Sequence, residues 1–194
     1  FGEDETMLKD SAAKFFADNC SPDKLHGLVA EDPNIHRSIE CIWDKQLWQQ
    51  ITELGWTAAC VPEEAGGLGM PLVAAVAIAE EAGKAAFPSP LISTMIASFV
   101  LKECHSDAAT KALGDVASGV PMTLAVTNKL GSWEPGDTDV AAAGTTLNGT
   151  AYFVQDAQKC DQFIVSATTP KGVALFLVDA NAAGVSITPD GIID

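Results

Sequence analysis

The sequence predicts an α+β fold, with helices in the first part of the chain and strands in the second. Apolar residues recur at helical spacing through roughly the first 120 residues, and prolines and glycines divide this stretch into lengths typical of helices. After Pro121 the pattern changes to short apolar runs separated by turn residues. Because the two element types occupy separate blocks, the pattern favours α+β or two domains over alternating βαβ units. We predict a helical domain at 1–119 and a β-domain at 120–194.

Five helical segments are predicted before residue 119. In the first, Leu8, Ala12, Phe15 and Phe16 share one face. The second carries an apolar stripe that ends at Gly55, a favoured position for a helix C-terminus. Its members are Ile39, Ile42, Trp43, Leu47, Ile51 and Leu54. The third, at 72–84, is apolar on nearly all sides, so we expect it to be largely buried. Segments 91–104 and 107–116 follow, the latter capped by Ser106 or Asp107 and ended by Gly119.

The strand block begins with the apolar run 122–127. Asn148-Gly149 is typical of a two-residue hairpin turn, here between predicted strands at 140–147 and 150–154. Further strands are predicted at 163–167 and 173–178, joined by a turn at Lys171-Gly172. A sheet that stopped at Asp194 would expose an edge or need another partner, so we expect the native chain to continue.

Composition excludes several function classes. The chain has 11 Lys+Arg against 26 Asp+Glu, a formal net charge of −15, which argues against nucleic acid and against anionic membranes. No apolar run is long enough for a membrane span, and the N-terminus does not resemble a secretory signal. The five cysteines lack metal-clip spacing and are expected to be reduced, mostly buried thiols, which predicts a cytoplasmic protein. They are Cys20, Cys41, Cys60, Cys104 and Cys160.

A glycine-rich loop at 61–69 is the most conspicuous local motif. Gly67-Leu68-Gly69 lacks the third glycine of a dinucleotide fingerprint, so we interpret the loop as a tight connection between helices. Glu63 and Glu64 are expected to be solvated, and we assign no role to the three histidines, His26, His36 and His105. Trp133, in a polar stretch between strands, either stacks on a planar ligand or covers a sheet edge; both remain open.

Three segments, in order, resemble the acyl-CoA dehydrogenase family. They are Leu54-Gly55-Trp56 with the loop 61–69; Glu80-Glu81-Ala82-Gly83-Lys84 with Pro88-Ser89-Pro90-Leu91; and Leu124–Thr127 with Leu147-Asn148-Gly149 and 161–167. The resemblance implies a helical domain followed by an antiparallel β-barrel domain, incomplete here, and a C-terminal four-helix domain absent from this chain. It also implies FAD between barrel and C-terminal helices, and conversion of an acyl-CoA to a 2-enoyl-CoA.

The resemblance assigns cofactor contacts residue by residue. The family's barrel entry reads aromatic-x-x-Thr-Glu-Pro, and here it covers Leu124, Val126 and Thr127, of which Thr127 would hydrogen-bond the flavin. Leu124 replaces the aromatic residue, and Asn128-Lys129 replaces Glu-Pro.

Further contacts are implied later in the chain. Ser132 corresponds to a family serine that contacts substrate or flavin, with Trp133 where an aspartate is usual. The family's Trp-Ile-Ser/Thr segment corresponds to Phe153, Val154 and Gln155, so the Phe153 ring would pack on the isoalloxazine and the Gln155 amide would replace a hydroxyl.

The departures from the family pattern permit several functional hypotheses. The leading one is an FAD-dependent acyl-CoA dehydrogenase subunit or fragment, with an acyl-CoA substrate and an electron-transfer flavoprotein-type acceptor, in a homo- or hetero-oligomer. The patterns Gly-Ser-Trp-x-Pro and Phe-Val-x-Asp-Ala resemble a heteromeric bacterial group that degrades sterol side chains. Alternatives are a non-catalytic partner subunit, a flavin monooxygenase or oxidase, and a helical binding module without flavin.

The sequence assigns no catalytic residue and no metal ligand. In the family the base comes from the C-terminal helical domain, to which no residue of this chain aligns. We therefore expect these 194 residues alone to be inactive.

Overall fold

The computed structural model describes residues 2–30 and 43–190, which form six helices followed by five strands. The helices are α1 (Glu3–Asn19), α2 (Pro22–Ala30), α3 (Lys45–Glu53), α4 (Leu72–Lys84), α5 (Leu91–Lys102) and α6 (Asp107–Ala117). The strands are β1 (Met122–Ala125), β2 (Val140–Ala143), β3 (Thr146–Gly149), β4 (Gln162–Thr169) and β5 (Gly172–Asp179). This order confirms the predicted α+β class. Ile39 and Ile42 of the predicted stripe, with His36 and Cys41, lie outside the described residues.

The sheet is mixed, which corrects the expectation of antiparallel pairing throughout. The central strand β4 pairs antiparallel with β5 along its whole length and parallel with β1 on the other edge. Beyond β1, the same edge of β4 meets β2, again in parallel, and β2 pairs antiparallel with β3. Two parallel pairings arise because long connections, not hairpins, lead from β1 to β2 and from β3 to β4.

The predicted hairpin turn at Asn148-Gly149 is wrong. The chain reverses at Gly144-Thr145, where Gly144 has φ +63°, and Asn148-Gly149 instead ends strand β3. Gly149 is needed for another reason, because a Cβ there would collide with the Asp139 carbonyl group. Residues 150–154, predicted as a strand, form none, because the chain leaves the sheet directly after Gly149.

An aromatic cluster joins α1 to the segment after α3. Phe16 and Trp56 are each 2% exposed, with ring centroids 5.4 Å apart, and Phe15 and Phe87 pack against them. Such rings bury large apolar areas and dominate the energetics of a small core. The predicted face of the first helix is therefore the one that packs.

Charged side chains add to the contact between α1 and α4. Lys9 Nζ lies 2.7 Å from Glu80 Oε2 and 3.8 Å from Glu81 Oε1, and Lys84 Nζ lies 2.8 Å from Glu81 Oε1. Hydrogen bonds from Lys9 and Lys84 hold the pKa of Glu80 below its usual value. Because Glu80 is exposed, this group contributes little to stability.

A second apolar cluster is shared by helices and sheet. It joins α5 and α6 to β1 and β4, with Met122 and Val116 fully buried at its centre. The members are Val61, Ala97, Leu101, Ala109, Ala112, Leu113, Val116, Met122 and Ile164. Helical and strand parts thus share one core, and the division at residue 119 stays a prediction.

Helix α4 is less buried than predicted. Ala74, Ala77 and Ile78 are fully buried, but Leu72 and Val76 are 60% and 49% exposed. One face packs on α1, whereas no element of the described chain covers the other. An apolar composition on all sides therefore does not mean burial on all sides within this part of the protein.

The loop at 61–69 folds onto the segment that precedes it. The amides of Leu68, Gly69 and Met70 donate to the carbonyls of Ala58, Val61 and Ala59 at 2.8–3.0 Å. Because these amides bind inside the loop, they form no phosphate cradle. The interpretation as a tight connection between helices is supported.

The described chain contains no helix that combines the length and apolarity needed to cross a membrane. Four thiols, Cys20, Cys60, Cys104 and Cys160, are not in disulfides, and three of them are buried. Desolvation by burial raises the pKa of the Cys60 thiol, which keeps it protonated and unreactive at neutral pH.

Gly67→Ala should destabilise the full chain strongly. A Cβ at Gly67 would collide with the backbone carbonyl of Val61, which cannot move without breaking the loop. We expect a loss of about 3 kcal/mol or more in the free energy of unfolding, measured by chemical denaturation. The matched control is Gly83→Ala inside α4, where nothing lies within 4 Å of the new Cβ and stability should rise slightly. Equal stability of the two variants would contradict this account.

Candidate functional site

The sheet opens between β1 and β2, and this opening organises the candidate site. On one edge of β4, pairing with β1 ends at Ala125↔Val165, and pairing with β2 occurs only at Ala141↔Thr168. The intervening carbonyl of Ser166 is satisfied by Thr138, whose hydroxyl donates to it at 2.8 Å. We call this opening, bordered by residues 126–132 and 151–156, the sheet fork.

Thr127 lies at the sheet fork, just after β1. It is only 6% exposed, and its carbonyl accepts a hydrogen bond from the Tyr152 amide at 2.9 Å. Its side-chain hydroxyl has no hydrogen-bond partner within the described ranges of the chain. A hydroxyl without a protein partner is free to donate a hydrogen bond to a ligand.

Asn128 shapes the turn that follows. Its Oδ1 accepts from the amides of Leu130 and Ser132, both at 2.9 Å, and the residue is 7% exposed. The Lys129 amide is bound separately, by Asp139 Oδ2 at 2.9 Å. The side chain that replaces the family's glutamate thus organises a turn of this chain.

The Ser132 hydroxyl makes its hydrogen bonds within its own loop. Its hydroxyl donates to Asp137 Oδ2 at 2.6 Å and accepts from the Glu134 amide at 3.2 Å. The neighbouring Trp133 is 67% exposed, so it covers little of the sheet. A ligand contact by Ser132 would have to compete with a short bond to a carboxylate.

Phe153 is held in a strained backbone conformation. Its φ is +53°, unusual for a large side chain, and its ring is 62% exposed. The left-handed conformation costs roughly 1–2 kcal/mol for an L-residue, and the exposed ring gains little burial in return. Such strain is a feature of ligand-contacting segments. Val154, next in the chain, packs inward against the sheet, while Gln155 is exposed.

The structure brings some predicted site residues together but not all. The hydrogen bond from Tyr152 places the segment that carries Phe153 beside Thr127. Leu124 packs instead against the cluster shared by helices and sheet, and Val126 is half-buried beside the opening.

Sequence reasoning did not find Tyr152, Asp156 or Ser166, although all three belong to this region. Asp156 has φ +54°, and Ser166 Oγ is fully buried with no partner among the described residues. For Asp156, the Asp-Ala dipeptide after an aromatic stretch could have indicated a role. No local sequence pattern distinguishes Tyr152 or Ser166.

Two surface clefts lie elsewhere. One of about 560 Å³ borders the glycine-rich loop and the end of α5, and one of about 210 Å³ lies between α6 and β5. Neither is lined by Thr127 or Phe153.

Comparison with known proteins decides the family. The model of the acyl-CoA dehydrogenase N-terminal domain matches residues 2–120. The chain belongs to the acyl-CoA dehydrogenase family. Acyl-CoA dehydrogenase FadE27 of Mycobacterium tuberculosis is 31% identical over 155 residues, which cover 77% of this chain and 41% of that protein. The chain spans between a third and a half of the curated acyl-CoA dehydrogenases that it matches.

Solved structures share the fold described above. The Tcur3481-Tcur3483 steroid ACAD matches with a TM-score of 0.79 at 30% identity, over 94% of this chain and 50% of that one. The ChsE4-ChsE5 complex of Mycobacterium tuberculosis matches with a TM-score of 0.81 at 27% identity, over 97% and 50%. The helices and mixed sheet therefore share the fold of about half of each of these chains.

Phe153→Asn should stabilise the protein in the absence of any ligand. Asparagine tolerates positive φ far better than phenylalanine, so the change relieves strain while losing little burial. We expect a gain of about 0.5–1 kcal/mol in unfolding free energy, measured by thermal denaturation. Ala86→Asn, at φ +47° after α4, is the matched control and should gain similarly. A gain in the control alone would show that the Phe153 ring stabilises the segment.

Proposed function

We propose that the protein is a subunit of an FAD-dependent acyl-CoA dehydrogenase that converts an acyl-CoA thioester to the 2-enoyl-CoA. The observation that supports this proposal most directly is the geometry of the sheet fork. There the Thr127 hydroxyl has no protein partner, and the exposed Phe153 ring lies on the neighbouring segment. The family membership supports the same reading. Both residues are the ones that the sequence resemblance assigned to the flavin.

The residues present fit a flat flavin ring. Thr127 would donate a hydrogen bond from its hydroxyl, and Phe153 would pack its ring on the isoalloxazine. Val154 and Gln155 would place backbone and amide groups along the same edge, and Val126 would add apolar surface beside the opening, whereas Leu124 packs in the cluster shared by helices and sheet. When bound, the flavin would accept the hydride that leaves the β-carbon of the thioester.

The chain's own part in catalysis is binding and orientation. The fixed backbone on both sides of the sheet fork would hold the ring without reorganisation during the reaction. We assign the base that removes the α-proton to none of the described residues. In the family that the sequence resembles, this base comes from the C-terminal helical domain.

We further propose a heteromeric assembly acting on a steroid-type CoA thioester in the cytoplasm. Support comes from two similar structures, one a two-protein complex and one described as a steroid ACAD. An electron-transfer flavoprotein-type acceptor would reoxidise the enzyme. The apolar face of α4 that contains Leu72 and Val76 is available for contacts beyond the described chain.

A second candidate function is a partner subunit that completes the enzyme without holding flavin itself. It is favoured by Ser132, whose hydroxyl is bound to Asp137, and by the turn that Asn128 rebuilds. In that case the Thr127 hydroxyl would have no role in cofactor retention.

The first test is flavin content of the full-length protein, purified with any partner subunit. We expect the absorption bands of oxidised flavin, and bleaching of these bands when a steroid side-chain acyl-CoA is added without oxygen. Preparations that carry no flavin and bleach none with any acyl-CoA would end the proposal. Oxygen consumption without transfer to a flavoprotein acceptor would indicate an oxidase or monooxygenase instead.

The second test compares Thr127→Val with Thr127→Ser in the same assembly. Valine keeps the shape but removes the hydroxyl, so the flavin dissociation constant should rise about 5- to 10-fold, corresponding to one lost hydrogen bond of about 1 kcal/mol. The serine variant keeps the donor and should stay near wild type. Wild-type retention by both variants would favour the partner-subunit role.

A further inference from the structure

Helix α5 reaches the strand part through two adjacent buried hydroxyls. Ser93 Oγ donates to Asp156 Oδ2 at 2.6 Å, and Thr94 Oγ1 accepts from the Met122 amide at 3.1 Å. Ser93 is 3% exposed and Thr94 1%. Polar groups at such depth in an otherwise apolar helix mark a specified contact, because each must be satisfied by one partner.

Asp156 is bound on both carboxylate oxygens. Besides the bond from Ser93, its Oδ1 accepts from Lys159 Nζ at 2.8 Å, and these two side chains are only 13% and 18% exposed. A partly buried carboxylate with a short hydroxyl bond and an ion pair is held in one position. Its own φ of +54° is tolerated by aspartate.

The segment that carries Phe153 is thus fixed at both ends. On one side the Tyr152 amide is bound to the Thr127 carbonyl at 2.9 Å, and on the other Asp156 is bound to α5 and Lys159. Between them stands a phenylalanine in a conformation that it would leave if unrestrained.

We propose that Asp156, anchored by Ser93 and Lys159, is a positioning residue that fixes the Phe153 ring where it packs against the flavin. The inference rests on the proposed function, since it presumes a flavin at the sheet fork. It adds a role for α5: the helical part, through one serine, sets the geometry of a cofactor contact in the strand part. In this role Asp156 would act through Phe153 and would contact neither cofactor nor substrate itself.

The test uses full-length holoprotein with any partner subunit, in the variants Ser93→Ala and Asp156→Asn. Asparagine keeps the tolerance for positive φ but removes the charge that pairs with Lys159. We expect the flavin dissociation constant, measured by the fluorescence of released flavin, to rise on the order of 10-fold in each. The double variant should fall well short of the product of the two effects, because both changes break one contact.

A second readout does not need flavin. In the flavin-free protein, amide hydrogen exchange at residues 152–156 should quicken in both variants. Asp115→Asn is the matched control, since Asp115 of α6 also links a helix to β4, by accepting a hydrogen bond from Gln162 Nε2 at 3.5 Å. It should leave flavin release and exchange at 152–156 unchanged.

The outcomes separate the two proposals. If wild-type protein holds no flavin, the proposed function fails, and this inference fails with it. If it holds flavin but Ser93→Ala and Asp156→Asn release it at the wild-type rate, the positioning role is overturned and the proposed function stands. Faster exchange without faster flavin release overturns it equally, and so does an Asp115→Asn effect as large as theirs.

Discussion

The structure depends on the contact between α5 and the start of β1. Met122 is fully buried and packs in the shared cluster, so its amide has no access to water. The Thr94 hydroxyl accepts from that amide, and a buried amide left unpaired would cost about 1–3 kcal/mol. This bond and the apolar contact fix where β1 begins. The parallel register with β4 follows, and with it the point where β1 ends and the sheet fork opens.

Local pattern was enough to predict most elements because their signals are local. Helix α4 is found at the predicted residues, and Ser106 caps α6 as expected, accepting from the Ala109 amide. The prediction of the hairpin turn was wrong because Gly144-Thr145 and Asn148-Gly149 both suit a turn. Gly149 is required instead by its close approach to the Asp139 backbone, which the local sequence does not show. The prediction that α4 is largely buried was wrong, because a sequence shows which faces of a helix are apolar but not which elements cover them.

The candidate site, like the fold, could be predicted only in part from the sequence. Thr127 and Phe153 could be named from the sequence because family motifs carry them. Their setting could not, since it rests on contacts such as Ser93 to Asp156, 63 residues apart. Positive φ at Phe153 could not be predicted either, because phenylalanine is not a residue type that favours it.

Strain at Phe153 bears on whether this chain holds a cofactor or only supports a partner. The turn after Thr127 departs from the family pattern, and Asn128 stabilises it with two bonds of its own. The neighbouring segment is held by hydrogen bonds at both ends, and it carries an exposed aromatic ring on a strained backbone. A subunit with a structural task alone would gain nothing from that arrangement, because the exposed ring contributes little to the core. Strain persists where surrounding contacts outweigh it, and here those contacts hold the segment with the exposed ring beside Thr127 at the sheet fork.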